Sequence, residues 1–270
     1  MSIIKLNNIV YKYPNGDKGL NGINLSIPKG KKIALLGANG AGKTTLMMML
    51  NGVFKPSQGE ICYKDVPYKY NKKGLRNIRE KVGVLFHNPD HQLFAPSVFE
   101  EISFGLCQIS NDKVWIHKKV QACLQEFELE DIADKTPHQL STGQKKRVSM
   151  ASVLVMQPEV LVCDEPSASL DPYHSDLMFA EFDKLNKAGT SVIISTHDVD
   201  KAFDWADEVI IMHQGEILAM GNPNTILSDV QLLKKAKLKQ PRILEIYQNL
   251  GIDYTKVDAF KSETIQHTLN

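Results

Sequence analysis

Residues 37–45 read Gly-Ala-Asn-Gly-Ala-Gly-Lys-Thr-Thr, and their types and spacing suit the holding of a phosphate chain. Glycine at 37, 40 and 42 permits positive φ and brings backbone amides close to phosphate oxygens. Lys43 reaches the terminal phosphates, and the Thr44 hydroxyl is a ligand for Mg²⁺. A second candidate is the acidic pair closing Val160–Glu165, which reads VLVCDE. Asp164 suits the Mg²⁺ shell, and Glu165 suits polarising an attacking water while metal and Lys43 neutralise phosphate charge. The third is Leu140-Ser141-Thr142-Gly143-Gln144, directly before a helical stretch. It has two readings that the residues alone do not separate: an N-cap followed by a glycine, or a second helix N-terminus offered to an anion.

The elements around these residues must position them. Lys32–Leu36 is a short apolar run that reads as a buried strand, and Leu46–Leu50 reads as a helix. A strand, a Gly-rich turn and a helix are the context a phosphate loop requires. Strands are expected near the start of the chain, at Gly22–Ile27, Glu60–Tyr63 and Val82–Phe86, and a helix capped by Asn71 through Arg79. After His87 the pattern turns helical, at Val98–Leu106, Asp112–Phe127 and Gly143–Met156, which suggests a helical insertion over about 90–157. Val160–Cys163, Ser191–Ser195 and 208–213 are apolar runs separated by helices near 172–188 and 198–206. Such alternation indicates a parallel α/β sheet with phosphate chemistry at the carboxyl ends of its strands. From about 229 the chain reads as a helical appendage with a polar end.

Composition narrows the class. The 270 residues are 43% hydrophobic and 23% charged, and the net charge of +1 gives no basic field to favour nucleic acid. Cys62, Cys107, Cys123 and Cys163 sit at no metal-ligand spacing and read as reduced thiols of a cytosolic protein, with no structural transition metal expected. Met1–Leu6 opens straight into a strand-like pattern with no signal-peptide region, and no apolar run approaches a membrane span.

GANGAGKTT, LSTGQ, VLVCDEPSASLD and His197 occur in the order found in the ATP-binding-cassette (ABC) family of transporter ATPases, and residues 1 to about 228 resemble it. The resemblance implies a P-loop NTPase core with a parallel-sheet subdomain, an N-terminal antiparallel β subdomain, an inserted helical signature subdomain and a C-terminal extension over 229–270. It implies ATP and Mg²⁺ as cofactors. By position, ATP would be held by Tyr13, stacked on adenine, and by Asn39, Gly40, Ala41, Gly42, Lys43, Thr44 and Thr45. Glu165, His197 and Lys43 would be catalytic, and Thr44, Asp164 and His87 would hold Mg²⁺. The family docks two nucleotide-binding domains head to tail, so Ser141, Thr142, Gly143 and Gln144 would meet the ATP of the partner. Ser169-Leu170-Asp171 resembles the loop at that interface.

Two positions depart from the family pattern: Thr142 replaces a glycine, and His87 replaces the usual glutamine. His87 is shorter than glutamine, though it can still donate, accept or ligate; Gln92, five residues on, is out of register for the same role. FHNPDHQLF (86–94), SFG (103–105), STHDVD (195–200) and Trp205-Ala206-Asp207 resemble the ATPases of cobalt, nickel and energy-coupling-factor (ECF) vitamin importers. The expected protein is a peripheral ATPase on the cytoplasmic face of the membrane, paired with a second copy or a paralogue. A transmembrane subunit would dock near 86–97 on Leu93, Phe94 and Pro96, and nucleic acid would not be a partner. The alternative is a soluble cassette ATPase acting in translation or DNA repair.

Overall fold

The computed structural model describes residues 1–168 and 170–252. In chain order, β1 (Ser2–Lys12) and β2 (Lys18–Pro28) lead to β3 (Lys32–Leu36), the Gly-rich turn and α1 (Lys43–Leu50). Next come β4 (Gln58–Tyr63), β5 (Val66–Pro67), α2 (Lys72–Lys81) and β6 (Val82–Leu85). Three helices follow, α3 (Val98–Ile109), α4 (Lys113–Glu126) and α5 (Thr142–Leu154). Alternation then resumes with β7 (Val160–Asp164), α6 (Pro172–Lys187), β8 (Ser191–Thr196), α7 (Val199–Trp205) and β9 (Glu208–His213). β10 (Glu216–Gly221), α8 (Pro223–Ile226), α9 (Val230–Lys235) and α10 (Arg242–Asn249) complete the described elements. Ser169 and residues 253–270 lie outside the described residues, and with them one residue of the expected interface loop and the expected polar end.

One sheet is antiparallel, in the order β2-β1-β4-β5; the other runs β10-β9-β3-β8-β7-β6. In the second, β9, β3, β8, β7 and β6 are parallel, and only β10 runs against its neighbour. Its central strands are apolar on consecutive residues because both faces are covered. Leu161, Val162 and Cys163 have no exposed surface. On one face α1 inserts Leu46, Met47, Met49 and Leu50 between the two sheets, against Ile4, Leu6 and Ile23. On the other, Phe182 of α6 and Trp205 of α7 are buried, with Phe179 packed edge-on to Trp205 at 5.3 Å. The parallel register sets Leu36 beside Thr196 and Asp164 beside Ser195, so the loops leaving β3, β7 and β8 emerge at one edge.

α3, α4 and α5 bury a cluster of their own, including Val98, Ile102, Val120, Leu124 and Val148. Leu93 belongs to it at 4% exposure, which corrects its assignment to an exposed dock; adjacent Phe94 is 63% exposed. The short 3₁₀ turn Pro89–His91 leads into this pair, of which one apolar neighbour faces inward and the other outward. The described part of the appendage, 230–252, packs on the core, with Leu233, Ala236 and Leu244 buried in the cluster of Phe182 and Trp205. Among the described residues no helix is long and apolar enough to cross a membrane.

Candidate functional site

The Gly-rich turn owes its shape to two different glycine requirements. Gly42, immediately before α1, has φ +101°, which side chains rarely adopt. Gly37, expected to need positive φ, does not have it. A Cβ there would lie 2.5 Å from the Met212 carbonyl oxygen, so its glycine is demanded by close packing on β9. The Lys43 side chain curls back into the turn. Its Nζ donates to the Gly37 oxygen at 2.7 Å and the Ala38 oxygen at 3.3 Å, and the residue is 7% exposed. Burial lowers its pKa, and the nearby carboxylates of Glu165 and Asp164 pull the other way.

The ends of β7 and β8 supply the acidic side. Thr44 Oγ1 donates to Asp164 Oδ2 at 2.8 Å, and Ser195 Oγ donates to Asp164 Oδ1. Glu165 sits at φ +44°, and its amide donates to Ser195 Oγ at 3.0 Å. That turn aims the carboxylate at His197, whose Nδ1 lies 3.1 Å from Glu165 Oε2; the His197 side chain is 71% exposed. Ser195 thus orders both acidic residues, a role its place in an apolar strand did not announce.

An open cavity of about 580 Å³ is lined by Tyr13, residues 39–45, His87, Asp164 and Glu165. The structure therefore gathers Lys43, Thr44, His87, Asp164 and Glu165, with His197 against Glu165. Tyr13 is half-buried; its hydroxyl shares a hydrogen bond with that of Thr45, and its ring meets Tyr11 edge-on at 5.1 Å. Gln92 is engaged elsewhere: its Oε1 accepts from the Phe86 amide at 3.2 Å and its Nε2 donates to the Ser149 oxygen at 3.0 Å.

Ser141, Thr142, Gly143 and Gln144 do not line that cavity. Ser141 Oγ accepts from the Gln144 amide at 3.3 Å while Gln144 Oε1 accepts from the Ser141 amide at 3.0 Å, a capping box. Ser141, Thr142 and Gly143 nevertheless stay exposed, so the cap leaves the tip of α5 uncovered. Asp171 caps α6, accepting from the His174 amide at 2.9 Å and facing His174 Nδ1 at 2.7 Å; both contacts lower its pKa. Sequence reasoning also missed Lys146, 8% exposed, whose Nζ donates to the Pro166 oxygen at 3.1 Å and to the Ala168 oxygen.

A glycine cradle at a helix N-terminus, facing a hydroxyl and an acidic strand end, defines a P-loop nucleoside triphosphatase. The chain belongs to the ABC transporter family, whose model matches residues 20–168. It is 44% identical over 251 residues to the energy-coupling factor transporter ATP-binding protein EcfA of Methanocaldococcus jannaschii, covering 93% of this chain and 90% of that one. It spans only 55% and 62% of the length of two other curated relatives at similar identity. CbiO1 from Clostridium perfringens, part of the ABC transporter complex CbiONQ, superposes with a TM-score of 0.76 at 39% identity, covering 92% of this chain and 99% of that one. A dimeric ATP-binding cassette in a post-hydrolysis state, bound to ADP and Pi, superposes at 0.73 with 27% identity, covering 82% and 98%.

Proposed function

We propose that the chain is the ATP-hydrolysing, membrane-peripheral energy-coupling subunit of an ECF-type importer for transition-metal ions or vitamins. In this reading residues 1–228 are the cassette, about 90–157 its inserted helical part, and 229–270 an extension. The observation that carries the reading is that one chain bears two half-sites: a phosphate cradle backed by Glu165, and an exposed Ser141–Gly143 tip outside that cavity. Two chains docked head to tail make each ATP site whole, with the tip of one against the γ-phosphate held by the other. ATP favours the closed pair because its γ-phosphate touches both chains; ADP lacks that group. The dimeric relative that holds ADP and Pi supports this arrangement.

Within each site Lys43 exchanges its loop carbonyls for phosphate oxygens, and Tyr13 offers a ring to adenine. The donor set fits Mg²⁺, which takes few protein oxygens and fills its shell with water and phosphate. Thr44 and Asp164 would hold it through oxygen, with His87 lining the same cavity, and it would neutralise phosphate charge. Glu165 accepts the proton of the attacking water, and His197 orients that carboxylate and reaches toward the γ-phosphate.

A membrane subunit is supported by an apolar groove of about 750 Å³ between α2, α3 and β6. Phe86 and Phe104 line it; Phe94, exposed with both, meets Phe104 edge-on at 4.9 Å. That partner would hold the chain at the cytoplasmic face. The names of the relatives favour transport over the translation or repair alternative. The test is Glu165→Gln. ATP-stabilised dimers should accumulate while phosphate release is lost; release at the unaltered rate refutes Glu165 as the base.

A further inference from the structure

α5 is tied to both catalytic loops of its own chain by two adjacent lysines. Lys145 pairs with Asp90 at 2.7 Å, in the loop that follows His87. Lys146 reaches the other way, into the turn that follows Glu165. That turn is closed by the Ala168 amide donating to the Glu165 oxygen at 3.1 Å, and Lys146 Nζ holds the carbonyls of Pro166 and Ala168 inside it.

The two ties differ in strength. Asp90 is more than half exposed, so water competes for its ion pair. Lys146 is buried, and both its hydrogen-bond partners are main-chain oxygens. Burial of the ammonium costs free energy, and its pKa is lowered accordingly. An apolar side chain of equal length would fill the space without that cost, but it would leave two carbonyls of the Glu165 turn unheld. Lys146 lies five residues from the Ser141 cap, about 7.5 Å along a continuous helix. A shift of the tip therefore moves the ammonium, and with it the turn that aims Glu165.

We propose that Lys146 is a positioning residue that couples the two ATP sites of the working pair. Through it, engagement of the Ser141 tip with ATP in the partner's site sets the Glu165 turn in the chain's own site. This rests on the head-to-tail reading above. Each chain thereby reports the loading of one site to the carboxylate of the other, and hydrolysis is cooperative in ATP.

Steady-state phosphate release against ATP concentration tests this with the full chain, comparing the unaltered protein with Lys146→Met and Lys146→Arg. Lys146→Met should lower kcat about tenfold or more, the equivalent of about 1.36 kcal/mol of barrier. KM should stay within about threefold, and the Hill coefficient should fall toward 1. Lys146→Arg keeps the donors and should recover most of kcat and the cooperativity. Unchanged kcat and Hill coefficient in Lys146→Met overturn the inference, as does an unaltered protein that is already non-cooperative. If Lys146→Met fails to fold, Lys146→Gln, with one shorter donor, is read the same way: an intermediate kcat supports the coupling, and an unaltered one overturns it. Glu165→Gln in the same assay separates the failures. ATP-stabilised dimers of Glu165→Gln beside an unaffected Lys146→Met overturn the coupling alone; no such dimers, and no hydrolysis by the unaltered protein, overturn both.

Discussion

Gly143→Ala separates what the α5 tip does for its own chain from what it does for a second one. Gly143 lies in the first turn of α5, and a Cβ built there meets nothing within 4 Å. Its backbone is helical and outside the positive-φ set, so alanine introduces no strain. Alanine is favoured over glycine by about 1 kcal/mol in a helix interior, and we take about half of that for a first-turn position. At about 2–4 °C per kcal/mol for a chain near this size, Tm should rise by about 1–2 °C. Function should move the other way. If a phosphate of the partner's ATP closes onto this surface, the added methyl is overpacked by about 1–3 kcal/mol, or about 5- to 160-fold in turnover. Differential scanning fluorimetry without nucleotide and phosphate release with saturating ATP read the two effects separately. Activity at the unaltered rate, with the small gain in Tm, would mean that nothing docks on the tip. A fall in Tm matched by the fall in activity would mean that the methyl meets its own chain, and the open space around Gly143 would be wrong.

Four further outcomes are expected. His87→Gln should retain or raise ATPase activity, since glutamine restores reach at the end of β6; abolished hydrolysis would refute the placement of His87. Ser195→Ala removes the donor to Asp164 Oδ1, while the Glu165 amide keeps the Ser195 main-chain oxygen at 3.2 Å. Urea unfolding should read a loss of about 1–3 kcal/mol, with ATPase reduced as well. Phe94→Ser should leave phosphate release by the isolated chain unchanged and reduce recovery of an integral membrane subunit from detergent extracts; equal recovery counts against the dock. One of the four cysteines, exposed Cys107, should react with a thiol reagent at pH 8 in the folded protein. Cys62, Cys123 and Cys163 are buried; burial raises all three thiols, that of Cys123 to about 12, so they should react only after denaturation. Rapid labelling of more than one site would contradict this.

The sequence carried the chemistry of the site more fully than its geometry. The phosphate loop was legible because Lys32–Leu36 and α1 flank it, and the acidic pair because it closes a run of apolar residues. Gly37 was read correctly as a required glycine but for the wrong reason, since its neighbour is Met212, far along the chain. Leu93 and Phe94 are adjacent and similar, and only the tertiary course of the loop decides which one is buried. Ser195 looked like any small residue in a strand; its hydroxyl acquires meaning from β7 lying next to it. Lys146 stands in the run Lys145-Lys146-Arg147, where charge alone distinguishes nothing. A signal was present: Lys146, Met150 and Leu154 share the buried face of α5 at helical spacing. A lysine on that stripe needs a partner, and the sequence could not say which loop supplies it.

The seating of α9 and α10 bears on protein engineering. Chimaeras between related cassettes invite a splice point near residue 228, in the short link between α8 and α9. Here that seam would strip Leu233, Ala236 and Leu244 from beneath Trp205 and Phe182, and would part Arg242 from its grip on Asp200. Asp200 belongs to the same short helix that starts next to His197. Grafts that keep these two helices with their native front end should stay monodisperse, while those cut between them should expose a greasy ledge and loosen His197 from behind.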